Sequence, residues 1–149
     1  METSSPDNAA APGLARRLSA IFYDALLLLA LLMLGSFLYV PIAGHVLPAP
    51  LGRTLYQIFL VAIGFLYFTW FWVHGGQTLG LRTWKLRLVT LDGASVTWTQ
   101  ALKRFVGAIV SWLCLGLGFL WVLVDREKLA WHDRFSGTRL VRLPDIPSI

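Results

Sequence analysis

Three apolar runs leave few folds open to this chain. Residues 18–40, 55–73 and 105–124 are 23, 19 and 20 residues long and carry one charge among them, Asp24. A helix of about 20 apolar residues crosses the hydrocarbon core of a bilayer. Only 14% of the 149 residues are charged, where a soluble domain carries about 25%. The mean hydropathy is +0.64. The expected class is an all-α membrane protein. Two transmembrane helices are joined by a third hydrophobic segment, a re-entrant hairpin or a third span, and by a small interfacial β-hairpin.

Asp24 is the costly residue. A carboxylate at mid-membrane costs roughly 2.5–3.5 kcal/mol on insertion scales, somewhat less near the interface. It therefore marks a site, provided that a partner can be found. Arg17 lies seven positions earlier on the same helical face, about 10 Å away along the axis. Helical side chains lean toward the N-terminus, so Arg17 snorkels outward and does not pair with Asp24. Asp24 needs a donor from elsewhere, or it carries a proton. Arg104 and Arg134 are the candidate partners for an ion pair that would lock the third segment onto the first helix.

The segments between the runs divide by composition. Residues 1–13 are rich in Ala, Pro and Ser and read as a disordered tail. Residues 14–143 form the membrane domain, and residues 144–149 a short C-terminal tail. Arg16-Arg17 before an apolar stretch resembles an export signal. The run that follows is too long, contains Asp24 and lacks a small-residue cleavage site, so an uncleaved helix is expected. Residues 41–54, with Pro41, Gly44, Pro48, Pro50 and Gly52, read as a loop. Residues 84–91 alternate, with Lys85 and Arg87 on one face and Leu86 and Leu88 on the other, which is a strand pattern. Asp92-Gly93 is a turn signal, and residues 95–98 are expected to return as its second strand. Residues 138–143 alternate more loosely and could add a tail strand to the same element.

Charge counting bears on the topology. If residues 105–124 cross the membrane, Arg16, Arg17, Arg82, Lys85, Arg87, Lys103 and Arg104 lie on one side. Arg53, Arg126, Lys128, Arg134, Arg139 and Arg142 then lie on the other, seven against six. If the run turns back at Leu115-Gly116-Leu117-Gly118, the count becomes twelve against one. The positive-inside rule favours the second arrangement. Each half would then reach roughly 14 Å, about halfway through the core. The twelve basic residues place the N-terminus in the cytoplasm.

The net charge of +5 fits anionic lipid headgroups rather than nucleic acid, because the basic residues flank apolar runs. The single Cys114 excludes an intrachain disulfide and a multi-cysteine metal site. His45, His74 and His132 are isolated in sequence, and no nucleophile–base or metal-spaced set is visible. The chain is expected to be no enzyme and to hold no cofactor or metal. The glycine-rich turn at Gly75–Gly80 lacks the Gly-Lys-Ser/Thr ending of a P-loop.

Four motifs resemble those of the RDD family of small membrane proteins. The family is named for an Arg before the first helix, an Asp inside it and a second Asp after the last hydrophobic segment. The Arg-x-x-Ala-x-x-x-Asp spacing matches at Arg17, Ala20 and Asp24. The His-Asp-Arg-x-x-Gly-Thr pattern matches at His132, Asp133, Arg134, Gly137 and Thr138. Gly76-Gln77-Thr78-Leu79-Gly80 and Leu115-Gly116-Leu117-Gly118-Phe119 are similar to further family features. Leu81-Arg82 departs from the pattern, which puts a basic residue directly after the last glycine of the turn. The resemblance implies an integral protein of the cell's inner (plasma) membrane. Transport of unknown ligands is suggested for the family, with cation/proton antiport attributed to some members. Arg17, Asp24, His132, Asp133 and Arg134 become the candidate polar cluster. Two or three segments cannot enclose a pathway, so the expected partners are the lipid bilayer and further copies of the chain or a membrane partner protein. The competing expectation is a non-transporting scaffold or assembly module with a basic cytoplasmic face.

Overall fold

The computed structural model describes residues 11–43, 46 and 48–143. Most of the two expected tails, and His45, lie outside the described residues. Helix α1 (Leu14–Ala43) and helix α2 (Ala49–Val73) take up the first two apolar runs. At 30 and 25 residues they are roughly 45 and 37 Å long, enough to cross a core of about 30 Å. Their outer faces carry large exposed apolar side chains, among them Phe22, Met33 and Phe37.

The connection between α1 and α2 is shorter than residues 41–54. Pro41 falls in the last turn of α1, and α2 begins at Ala49 with Pro48 as its N-cap. Proline is tolerated in a first helical turn, where its missing N–H has no partner to lose.

Helix α3 (Leu79–Thr83) is one turn, capped by Thr78, whose hydroxyl accepts the Leu81 N–H. Strand β1 (Leu86–Thr90) follows, with Leu86, Leu88 and Thr90 buried and Arg87 exposed. This is the alternation read from the sequence. Its partner is not the local return at 95–98. β1 pairs antiparallel with β2 (Thr138–Arg142), with Leu88 opposite Leu140. Asp92-Gly93 does turn the chain, and the Thr90 N–H bonds to the Ala94 carbonyl. Thr97 then caps a helix instead of extending a strand. Its hydroxyl accepts from Gln100 N while Gln100 Oε1 accepts from Thr97 N, a reciprocal capping box.

That helix, α4 (Trp98–Leu113), starts seven residues ahead of the third apolar run. It stops at a turn where Leu115 (φ 55°) and Gly116 (φ 77°) are left-handed. Helix α5 (Leu117–Leu120) and a 3₁₀ turn (Trp121–Leu123) leave at 108° to α4. The third segment is therefore a bent pair with a long first arm and a short second one, rather than two equal halves. Helix α6 (Trp131–Ser136) and β2 complete the described chain.

The buried core does not run along the long helices. It gathers at one end, where Ala20, Trp72, Leu81, Leu86, Leu88, Val96, Ala101 and Leu140 pack together. The start of α1, the end of α2, α3, the sheet and the start of α4 all meet there.

Candidate functional site

Two buried carboxylates organise this end of the molecule. Asp24 is 4% exposed. The Tyr67 hydroxyl of α2 donates to its Oδ1 at 3.0 Å, and the Gly80 backbone N–H donates to the same oxygen at 2.9 Å. The Thr78 hydroxyl donates to Oδ2 at 2.5 Å. Asp24 thus binds α1 to α2 and to the α3 turn. Gly80 is required at its position, because a Cβ there would lie 2.3 Å from the Ala20 carbonyl oxygen and 2.7 Å from Asp24 Cγ.

All three donors are neutral. Among the described residues Asp24 makes no ion pair. The expected lock through Arg104 or Arg134 is not formed, because both arginines have nearer carboxylates. Arg17 and Asp24 do not pair either.

Asp133 is fully buried and takes the cations. Arg17 Nη1 donates to Oδ2 at 2.9 Å, and Arg104 Nη1 donates to Oδ1. The Ala130 N–H also donates to Oδ2 at 2.9 Å, so Asp133 caps the start of its own helix. Arg17 continues through Nη2 to the Lys128 carbonyl at 2.9 Å. Arg104 Nη1 reaches Thr138 Oγ1 at 3.0 Å, and its guanidinium carbon stands 5.3 Å from the centre of the Trp72 ring. One carboxylate so joins α1, α4, α6 and the start of β2. Because Arg104 precedes the bend and Asp133 follows it, both flanks of the third segment return to the end where α1 begins.

His132 is buried beside this cluster, its Nε2 3.7 Å from Asp133 Oδ1 and its ring 4.8 Å from that of Phe119. Burial, and then the Arg104 charge, push its pKa down to about 3, so it is neutral at ordinary pH. Burial alone would raise Asp133, but Arg104 and Arg17 outweigh it and hold the carboxyl well below its usual range. Arg134 is half exposed and lies apart, donating to Asp125 Oδ1 at 2.6 Å. The Leu129 N–H, and then Arg134, lower the Asp125 pKa. The sequence-selected residues therefore divide: Arg17, His132 and Asp133 gather, Asp24 sits in its own network, and Arg134 serves a surface loop.

A cavity of about 190 Å³ lies between these networks. Arg17, Asp24, Thr78, Arg104 and His132 line its polar walls, and Phe68, Phe105 and Ile109 are among its apolar ones. Among the described residues no group of three His, Cys, Asp or Glu side chains is placed to hold a metal ion.

The RDD family model matches residues 11–137. The chain belongs to the RDD family. No curated protein and no solved structure matches it. The Arg and the two Asp that carry the resemblance in this RDD protein are Arg17, Asp24 and Asp133, and they sit at the centres of the two networks. Family membership and the two long apolar helices make it an integral membrane protein.

Sequence reasoning missed Tyr67, Thr78 and Gly80 as partners of Asp24, and Arg104 as a partner of Asp133. The Gly76–Gly80 motif held the signal for two of them. Tyr67 gave none beyond a hydroxyl in an apolar run.

Proposed function

We propose that this RDD protein moves an ion or small ligand across the inner (plasma) membrane, as an oligomer or as a subunit of a membrane complex, with Asp24 as the exchanging group. Its N-terminus is cytoplasmic and its third segment re-entrant. One observation carries the reading: a buried carboxylate on a cavity wall, held by neutral donors alone. A carboxylate paired with a guanidinium is already neutralised and has little to gain from a proton or a metal cation. Asp24 has no cation beside it and stands next to open space. When it takes up a proton on Oδ2, the Thr78 hydroxyl can rotate to accept from it, while Oδ1 keeps the Tyr67 and Gly80 donors. Because Thr78 caps α3, exchange at Asp24 acts on the α3 turn.

The test is proton movement driven by a cation gradient in proteoliposomes. The Asp24→Asn variant abolishes the flux while still inserting and assembling. Normal flux in that variant removes Asp24 as the exchange site. Orientation is read by labelling an Arg126→Cys variant in a Cys114→Ser background. Labelling from the outer face alone overturns the re-entrant, cytoplasmic assignment.

A second reading, a non-transporting scaffold or assembly module, draws on the exposed Arg82, Arg87, Lys103, Arg126 and Lys128. They offer a basic face to a partner or to anionic lipid. Absence of any flux from the unaltered protein, in every oligomeric state recovered, favours this reading.

A further inference from the structure

Arg104 is only half used. The residue is 5% exposed and lines the cavity. Its Nη1 makes both of its bonds, to Asp133 and to Thr138. Its Nε is buried without an acceptor, and its Nη2 makes no hydrogen bond among the described residues. The Nε–Nη2 edge of a guanidinium presents two parallel N–H groups, the fork that grips a carboxylate or phosphate in bidentate fashion. His132 also lines this cavity, and its buried Nδ1 lacks a partner.

Arg17 and Arg104 share one carboxylate, Asp133, so the Arg104 end of the cavity holds two cations to one anion, and Asp24 on another wall balances the lining as a whole. Apart from Asp24 and Thr78, the other walls are largely apolar. Helix α1 packs on α2 and α3, and α4 packs on α2 and α6, but α1 and α4 do not pack closely on each other. Leu18, Ile109 and Trp112 line the cavity and are also exposed. The space therefore opens sideways, between α1 and α4, onto the apolar surface of the long helices. Its 190 Å³ equals on the order of six water volumes, room for one chain and not two.

We propose that the cavity binds a single-chain anionic amphiphile of the fatty-acid class. Its carboxylate sets against the free edge of Arg104, and its chain leads out between α1 and α4 into the bilayer. This rests on the reading of the cavity as the ligand site and names the class of ligand.

The test is equilibrium binding of radiolabelled dodecanoate to the full chain in phosphatidylcholine nanodiscs, with empty nanodiscs subtracted and no gradient imposed. Saturable binding is expected for dodecanoate and not for dodecyltrimethylammonium. Arg104→Lys, which keeps the charge and loses the fork, weakens it. Because Arg104 also holds Asp133, a second variant avoids that cluster: Ala108→Phe fills the apolar part of the cavity and lowers affinity roughly tenfold or more. Equal binding of the cationic amphiphile, or unchanged affinity in Ala108→Phe, overturns the proposal. So does competition by phosphatidylglycerol doped into the bilayer, which would make a two-chain lipid the occupant. Absent binding alongside Asp24-dependent flux overturns this proposal and leaves the transport reading standing. Saturable binding in a chain without flux overturns transport and leaves this site in place.

Discussion

Replacing Asp133 by Asn tests the electrostatic centre of the fold. The carboxylate is fully buried, and Arg17 and Arg104 are each 5% exposed. Both of its oxygens face N–H donors: Arg17 Nη1 and Ala130 N on one, Arg104 Nη1 on the other. An Asn side chain is nearly isosteric, but one of those positions becomes an NH₂ that points a donor at a donor. Two buried guanidinium groups also lose their shared counter-charge. Removing one partner of a buried ion pair costs about 3–5 kcal/mol, much of the roughly 5–15 kcal/mol that holds a domain folded. The expected fall in melting temperature in detergent is about 10 °C or more. Glu127→Gln is the control, since its contact with Arg134 is 3.5 Å long and both side chains are mostly exposed. It should not shift the melting temperature measurably. The triple variant Arg17→Met, Asp133→Asn, Arg104→Met removes the stranded charges and should recover stability relative to Asp133→Asn alone. If Asp133→Asn costs less than ~1 kcal/mol, or if the triple variant is no better than the single one, uncompensated buried charge is not what Asp133 prevents.

Acid should destabilise the protein in two windows. His132 titrates near 6.5 when unfolded and at about 3 when folded. As the pH falls below about 6.5 the unfolded chain takes a proton that the folded one refuses, and stability declines until about pH 3. Asp133 is held below its usual range, so its contribution is intact above about pH 3.9 and is lost only beneath it. Melting curves between about pH 6.5 and 4.5 therefore report on His132, and His132→Phe should flatten that slope. An unchanged slope would show that His132 is accessible to protons in the folded state. Gly80→Ala should destabilise the protein by about 1–3 kcal/mol, the usual cost of overpacking, because its Cβ would collide with the Ala20 carbonyl and the Asp24 carboxylate. Thermal unfolding at the parent temperature would mean that the α3 turn does not press on α1.

What the sequence made legible follows the range of each interaction. The long apolar runs report on burial in lipid, a property of each segment alone, and α1 and α2 appear where the runs are. The alternation of residues 84–91 is also local, and β1 appears there. Its partner was not legible, because Asp92-Gly93 is a turn whether or not a strand follows. The Thr97–Gln100 capping box makes the following residues a helix, and Leu140 lies far along the chain. The cost of Asp24 was plain from its surroundings, but its partners were sought among cations. Neutral donors leave little trace in composition: a tyrosine hydroxyl, a threonine and a backbone N–H look like any others. Arg104 was visible as a cation at the head of the third run, yet nothing in the spacing assigned it to Asp133 rather than Asp24.

That assignment has a consequence for the shape of the third segment. Had Arg104 or Arg134 gone to Asp24, one ion pair would have served for both anchoring and charge balance. Instead the two carboxylates divide these tasks. Asp133 consumes Arg17 and half of Arg104, and in doing so ties the start of α4 and the chain beyond the bend to the start of α1. A straight helix of residues 98–124 would span roughly 40 Å and could not bring Arg104 and Asp133 to one carboxylate-length of each other without a long return. The 108° bend at Leu115 and Gly116 is the geometry that lets both flanks of the segment meet at Asp133. With the cations committed there, Asp24 is left with hydroxyls and an N–H, and Arg104 Nε is left buried without an acceptor.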